Sequence, residues 1–409
     1  VRVAFDPAVL EPDPTRRRTL LDLLTTALLA VDPERLTAAA VRRLDIASPV
    51  TVIALGKAAP GMARGAAAVL GASSGLVVTD HPEEVPAGYE LVVGDHPLPG
   101  KESVRAGRRA LEVAARSQLP VLFLISGGGS ALCELPAPGL ELADLVATTR
   151  LLLASGAGID EINLVRRHLS AVKGGRLGAV AGSVVATLVL SDVPSGQLGT
   201  VSSGPTVAEP STPDDALRVI KRYRLPSGRP VMTALERSSP APRPRPHPLV
   251  RVADGQDAAA AARDRATAIG LRAIVAPVLT GEASTQALAM VESSLPGITI
   301  AAGETTVRVT GNGRGGRNQH AALAAAIHLD GNPEVVFAAL ATDGVDGPTT
   351  AAGAIVDGTT CGRARALGLD PGRHLAESDA YPLLMQIGDG LRCGPTGTNV
   401  ADLWVVWRS

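Results

Sequence analysis

The stretch Val121-Leu-Phe-Leu-Ile-Ser-Gly-Gly-Gly-Ser-Ala-Leu132 constrains the fold more tightly than any other part of the chain. Its apolar run, 121–125, is short, rich in strand-forming residues and preceded by Pro120, which is the pattern of a buried parallel strand. Three glycines then let the backbone turn sharply before a helix expected from Ser130. Bare N–H groups beside a helix start suit an anion, so Ser126, Gly127, Gly128, Gly129 and Ser130 are candidate ligand-binding residues. A tight strand-to-helix turn without a ligand is the alternative. No Gly-Lys-Ser/Thr follows, so the loop is not a Walker A motif.

The alternation of short apolar runs and helical patterns extends in both directions. Strands are expected over 50–55, 75–79, 90–93 and 184–190, and helices over 15–44 (broken at Asp32-Pro33), 58–70, 103–115, 140–154 and 160–171. The segment 224–249 carries seven prolines and is expected to be a stiff connector without a helix or central strand. A boundary there gives an N-terminal Rossmann-like α/β domain over 1–240 and a C-terminal α/β domain over 241–409. Beyond it, strands are expected over 250–253, 271–276, 298–302, 335–341 and 403–407, with a short one reaching Thr310. Helices are expected over 256–269, 282–293 and 318–329. A chain of 409 residues is too long for one ordinary core. The fold class expected is α/β, in two lobes.

Composition narrows the function. Aromatic residues are 2%, too few for base-stacking platforms, and a net charge of −1 gives no basic footprint for nucleic acid or an acidic membrane. Cys133, Cys361 and Cys393 form no CxxC, so neither a zinc site nor a disulfide framework is indicated. The first residues lack a signal core and no run reaches membrane-spanning length, so a soluble, cytoplasmic protein is expected.

Only Lys57, Lys101, Lys173 and Lys221 among the 39 basic side chains are lysine. Where arginine serves as the generic cation, a retained lysine points to a place for a compact ammonium. Lys57 follows Gly56 at the end of the 50–55 strand, where α/β sheets bind ligands. Asn163, Arg166 and Lys173 are close enough in sequence to share a face; ligand contact and a solvated helix surface are both open. Asp80-His81-Pro82 and Asp95-His96-Pro97 read as turns rather than metal sites. Asp192 follows the 184–190 strand, as a base, a metal ligand or a turn residue.

Further on, Glu304, in Gly303-Glu-Thr-Thr306, is a candidate substrate- or nucleotide-binding residue. The loop 311–319 carries Gly315, Gly316, Arg317 and Asn318 at a helix start, with Arg314 and Arg317 available to phosphate or carboxylate oxygens. Asp343 and Asp346, flanked by glycines, suit either Mg²⁺ or a turn. Asn399, which precedes the last strand, is a further candidate substrate- or nucleotide-binding residue. Such loops, cations and carboxylates suit phosphoryl transfer, in which positioning and charge neutralisation supply most of the catalysis.

The order of motifs resembles the class II glycerate kinases, the glycerate 2-kinase family with a MOFRL domain. The matching segments are ALGKAAPGM at 54–62, GDHPLPG at 94–100, ISGGGSAL at 125–132, INLVRRHLSAVKGGRLG at 162–178, SDVPSG at 191–196 and SSGPT at 202–206. They continue with GETT at 303–306, GRGGRNQ at 313–319, ATDGVDGPT at 341–349 and GPTGTNVADL at 394–403. The resemblance implies two Rossmann-like lobes with the active site in the cleft between them. It also implies ATP-dependent phosphorylation of D-glycerate to 2-phosphoglycerate, with Mg²⁺ or another divalent cation.

Lys57 and Arg317 match the family's active-site lysine and arginine. By their chemistry, Asp192 is expected to orient the hydroxyl as a base, and Asp343 and Asp346 to contact metal or nucleotide. The partners expected are D-glycerate and ATP, not nucleic acid or membrane, with a homodimer left open. His320 and Thr350 depart from the family pattern, where acidic residues are usual. A hydroxypyruvate reductase is the rival enzyme, but no GxGxxG follows a strand with an acid about twenty residues on. A non-catalytic small-acid sensor is the other alternative.

Overall fold

The computed structural model describes residues 3–6, 13–71, 73–237 and 241–409. Residue 240, at the expected domain boundary, lies outside them, as do residues 1, 2 and 7 of the N-terminal segment. The chain divides into two compact units. One comprises Pro33–Ser191 and Gln197–Val252; the other comprises Val1–Asp32, Asp192–Gly196 and Ala253–Ser409. A single cut at 240/241 therefore does not describe them.

The first unit is built on β1 (Thr51–Leu55), β2 (Ser74–Thr79), β3 (Tyr89–Val93), β4 (Val121–Ser126), β5 (Val184–Leu190) and β6 (Leu249–Ala253). Their order across the sheet is β3-β2-β1-β4-β5-β6, and β1 to β5 pair in parallel. Every residue of β1 and β4 is buried. Both faces are covered, which is why these strands read as unbroken apolar runs instead of alternating ones. From β1 the chain builds outward through β2 and β3, then returns to the other side of β1 for β4. The carboxyl ends of β1 and β4 thus flank the point where strand order reverses, the usual ligand position in open α/β sheets.

Two expectations for this unit change. The proline-rich segment contains a helix, Arg229–Arg237. Pro230 stands in its first turn, where no intrahelical N–H bond is lost, and Val231 and Leu235 are buried against Ile162, Val165 and Ile220. β6 joins the first sheet instead of opening the second. In the helix Ala59–Leu70, Gly61 and Gly65 face another helix, Pro33–Arg43: a Cβ at Gly65 would lie 2.9 Å from the Glu34 carbonyl carbon. The small residues there serve helix–helix approach.

The second unit contains β7 (Ala273–Val275), β8 (Leu279–Glu282), β9 (Gly297–Thr306), β10 (Val335–Ala341), β11 (Gly353–Asp357), β12 (Gly390–Leu391) and β13 (Asp402–Arg408). The sheet order is β12-β11-β10-β13-β9-β7, with β8 also on β9. β7 and β8 run parallel to β9, but β13 is antiparallel to both β9 and β10. This sheet is mixed, unlike the parallel sheet of the first unit. With few aromatics, its core is an alanine-rich face of the helix Arg317–His328 around Trp404, which meets Phe337 edge-on at 5.5 Å between ring centroids. The N-terminal helix Pro14–Ala30 belongs here: the fully buried Arg17 donates to Asp357 and Asp389, each at 2.6 Å.

Candidate functional site

At the switch point of the first unit, β1 ends in Leu55-Gly56-Lys57 and β4 ends in Ser126-Gly127-Gly128. The two ends are tied together. Lys57 N–H donates to the Gly127 carbonyl at 2.9 Å, and Ala58 N–H donates to Ser126 Oγ at 3.1 Å. Gly56 has φ +119°, and a Cβ there would lie 2.7 Å from the Ser126 carbonyl carbon, so glycine is required for this approach. The Lys57 stem lies across Gly128, whose own φ is +87°; a Cβ there would sit 3.1 Å from Lys57 Cγ.

The helix expected after the glycines is a single turn, Gly129–Leu132, so it offers no sustained helix dipole. Gly129 and Ser130, as its first residues, still lack intrahelical acceptors for their N–H groups. Hydroxyls surround the loop. Ser202 Oγ donates to the Ser126 carbonyl at 2.6 Å, and Ser130 Oγ and Ser203 Oγ are 2.6 Å apart. Ser202 and Ser203 hold φ of +52° and +60°, an uncommon pair of left-handed non-glycine residues. Nothing in the run Ser202-Ser-Gly-Pro-Thr206 distinguishes these serines; only the backbone reveals their placement.

Arg166 reaches the same loop, donating to the Ser130 carbonyl and to Asn163 Oδ1, each at 3.3 Å. Among the described residues no carboxylate pairs with it, and burial pulls its pKa below the ordinary arginine value. Lys173 does not join it at the surface. Only 1% exposed, it is ion-paired with Glu134, itself 2% exposed and also bonded by Ser170 Oγ. Burial lowers the Lys173 pKa, with Glu134 opposing the shift. Lys173 is thus held in a buried ion pair, and Glu134 carries no signal in the sequence because its partner is distant along the chain.

In the second unit, Arg317 opens its helix and donates Nε to Asp402 at 2.7 Å and Nη1 to Glu304 at 2.8 Å. These carboxylates, chiefly Asp402, raise its pKa against the opposing effect of burial, which is the largest single influence. Asn318 is fully buried: Nδ2 donates to Asp402 Oδ1 at 2.8 Å and its Oδ1 accepts Trp404 Nε1 at 2.7 Å. Asp402 was missed from sequence because a lone aspartate opening a strand carries no distinguishing signal.

Asp346, expected as a metal contact, is buried and turned inward. Its Oδ1 accepts Asn318 N–H and Nδ2 at 3.1 and 3.2 Å; its Oδ2 accepts Gln319 N–H and Nε2 at 2.8 and 2.9 Å. Burial, with nearby Asp402, pushes its pKa up to about 6 against these donors. Asp346 therefore occupies the helix N-terminus that Gly315, Gly316 and Asn318 were expected to offer a ligand. A Cβ on Gly316 would overlap the Asp346 carboxylate, whereas one on Gly315 would come no nearer than 3.4 Å to any neighbour.

Asp343, half-buried after β10, accepts Val345 N–H on Oδ1 at 3.0 Å. Asp192 Oδ2 accepts Asn399 Nδ2 at 3.4 Å. Among the described residues no group of three or more His, Cys, Asp or Glu side chains is arranged to hold a metal ion. No helix among them is long and apolar enough to cross a membrane.

The fold and these side chains define an α/β protein with cationic groups and a glycine-rich loop at a strand-order reversal. The profile of the MOFRL family matches residues 297–402, and that of a domain of unknown function, DUF4147, matches residues 19–236. A D-glycerate 2-kinase from Thermotoga maritima is 38% identical over 418 residues, 98% of each chain. The crystal structure of a glycerate kinase from Thermotoga maritima superimposes with a TM-score of 0.83 at 37% identity, covering 97% of this chain and all of the other. A relative from Agrobacterium vitis named for hydroxypyruvate reductase activity is 38% identical over 354 residues, 81% of this chain and 91% of its own. The chain belongs to the MOFRL family of glycerate kinases.

Proposed function

We propose that the protein phosphorylates D-glycerate with ATP, giving 2-phosphoglycerate. The observation that carries this reading is the pairing of Lys57 with the Ser126–Ser130 loop at the strand-order reversal of the first unit, in a glycerate kinase chain. Lys57 and the loop N–H groups meet phosphate oxygens. Arg166, which has no carboxylate hydrogen-bonded to it among the described residues, takes a phosphate or the glycerate carboxylate in forked geometry. Asp192, steadied by Asn399, receives the hydroxyl proton as the new O–P bond forms and the bond to the ADP oxygen breaks. Arg317 neutralises charge on an anionic group.

For a divalent cation the donors fit in part. Asp343 is a suitable carboxylate contact, in keeping with magnesium's habit of taking one or two carboxylates plus phosphate and water. Asp346 is not suited, because internal donors use both its oxygens. A bound cation would supply charge neutralisation on the nucleotide phosphates.

Phosphorus NMR of the purified protein with D-glycerate and MgATP tests the reading, because it reports turnover and the oxygen that is phosphorylated. The expected result is ADP with a 2-phosphate resonance. A 3-phosphate resonance would overturn the regiochemistry. No turnover, beside NADH consumption with hydroxypyruvate, would overturn the reaction class.

A further inference from the structure

Arg317 meets two carboxylates of very different character. Asp402 is fully buried at the start of β13 and accepts Arg317 Nε at 2.7 Å, Asn318 Nδ2 at 2.8 Å and Thr305 N–H at 3.4 Å. Trp404 Nε1 holds the Asn318 amide oxygen at 2.7 Å, which fixes the orientation of that amide. A buried carboxylate with these donors has nowhere better to go. Glu304 is 45% exposed at the end of β9 and takes Nη1 at 2.8 Å.

We propose that Asp402 is the positioning residue for Arg317, and that Glu304 is an exchangeable counter-ion which leaves the guanidinium when an anionic ligand arrives. With Nε anchored by Asp402, the Nη1–Nη2 edge is the one left for a phosphate or carboxylate to grip with two parallel hydrogen bonds. Glu304 occupies half of that edge. Two carboxylates on one guanidinium share its charge, so an anion gains more from Arg317 once one of them withdraws. Because Glu304 is exposed, exchange of the outer pair is cheap; the inner pair, whose carboxylate is fully buried, keeps the fork aimed throughout.

The inference rests on the reading of Arg317 as an anion contact, and the test separates the two. Binding of D-glycerate, ADP and inorganic phosphate to the full chain is measured separately by titration calorimetry at low ionic strength, for wild type, Glu304→Gln and Asp402→Asn. Glu304→Gln is expected to tighten at least one of these probes about two- to fivefold, the range of an exposed ion pair. Added KCl should shrink the gain. Asp402→Asn should weaken the same probe about tenfold or more, as for a lost charge-assisted anchor. A purely structural role for both carboxylates would not move the same probe in opposite directions.

Unchanged or weaker binding of all three probes in Glu304→Gln overturns the exchange. Unchanged binding in a folded Asp402→Asn overturns the positioning role. If Asp402→Asn does not fold, the Glu304→Gln arm still decides the exchange. Wild-type turnover without tightening in Glu304→Gln refutes this inference alone; tightening without turnover refutes the substrate assignment alone.

Discussion

Adjacent glycines at 315 and 316 offer a direct test of what the second glycine-rich loop is for. Gly316→Ala needs no unusual backbone, since φ is −122° at that position. Its Cβ would nevertheless overlap both the carboxylate and the main-chain carbonyl carbon of Asp346, so rotating the side chain cannot relieve the clash. Asp346 must retreat from four N–H donors while staying buried. Breaking up a buried, fully bonded charge of this kind costs about 3–5 kcal/mol. For a folding unit of 150–250 residues that is about 6–20 °C in Tm. Gly315→Ala meets only ordinary contacts at 3.4–3.6 Å and should stay within about 0.5 kcal/mol of wild type. Calorimetric melting of both variants without ligand is the assay, with ATP and glycerate kinetics alongside. A ligand-cradling Gly316 would give the opposite result: native Tm in the unliganded variant with a raised KM. That outcome would refute the assignment of Asp346 as the internal occupant of the helix N-terminus.

Other perturbations follow from the same geometry. Lys57→Ala should lower kcat by about 10²- to 10⁴-fold, and Lys57→Arg substantially, with little change in Tm, because a planar guanidinium cannot take the place of the compact ammonium beside Gly128; near-native kcat/KM in Lys57→Arg would move the leading role elsewhere. Arg17→Ala should destabilise the protein by about 3–5 kcal/mol by leaving the buried Asp357 and Asp389 short of charge, although Arg363 still bonds Asp389; an unchanged melting curve would count against it. His81 lies between Asp80 and Glu83, which lift its pKa from 6.5 to about 10. Its stabilisation should be complete below pH 6.5 and disappear as pH rises through about 10, so wild type minus His81→Gln stability, from urea melts across that range, should fall with pH and not rise.

The strands of the first unit were legible because burial on both faces leaves a pattern that survives without its neighbours: 121–126 and 184–190 are apolar almost throughout. The helix Arg229–Arg237 was obscured by proline density, since a proline in a first turn is written the same way as one in a connector. β13 was recognised as a strand, yet its position between β9 and β10 was not, because pairing is a property of distant residues and not of the run itself. Lys173 illustrates the same limit at the level of a side chain. Its scarcity pointed correctly to a special environment, but its partner Glu134 is 39 residues away, and nothing local distinguishes an ammonium awaiting a phosphate from one already neutralised.

The two glycine-rich loops make the physical distinction plain. Both were expected to present N–H groups to an outside anion, and in both the glycines are there for close approach. In the second unit the approaching anion is the chain's own: Asp346 fills the start of the helix Arg317–His328, and Gly316 is small to admit it. In the first unit the nearest glycine contacts are Lys57 and two serine hydroxyls, none of them an anion; of the nearby carboxylates, Glu134 is paired with Lys173 and Asp80, which feels the charge of Lys57, is paired with His81. The first loop is the one we propose for an external negative group, while the second has used its own helix start to brace the helix that carries Arg317. A phosphate-handling protein needs both: one surface with donors to offer, and one rigid mount for a guanidinium. The same residue types, glycine and a helix start, supply either, and only the position of one aspartate decides which.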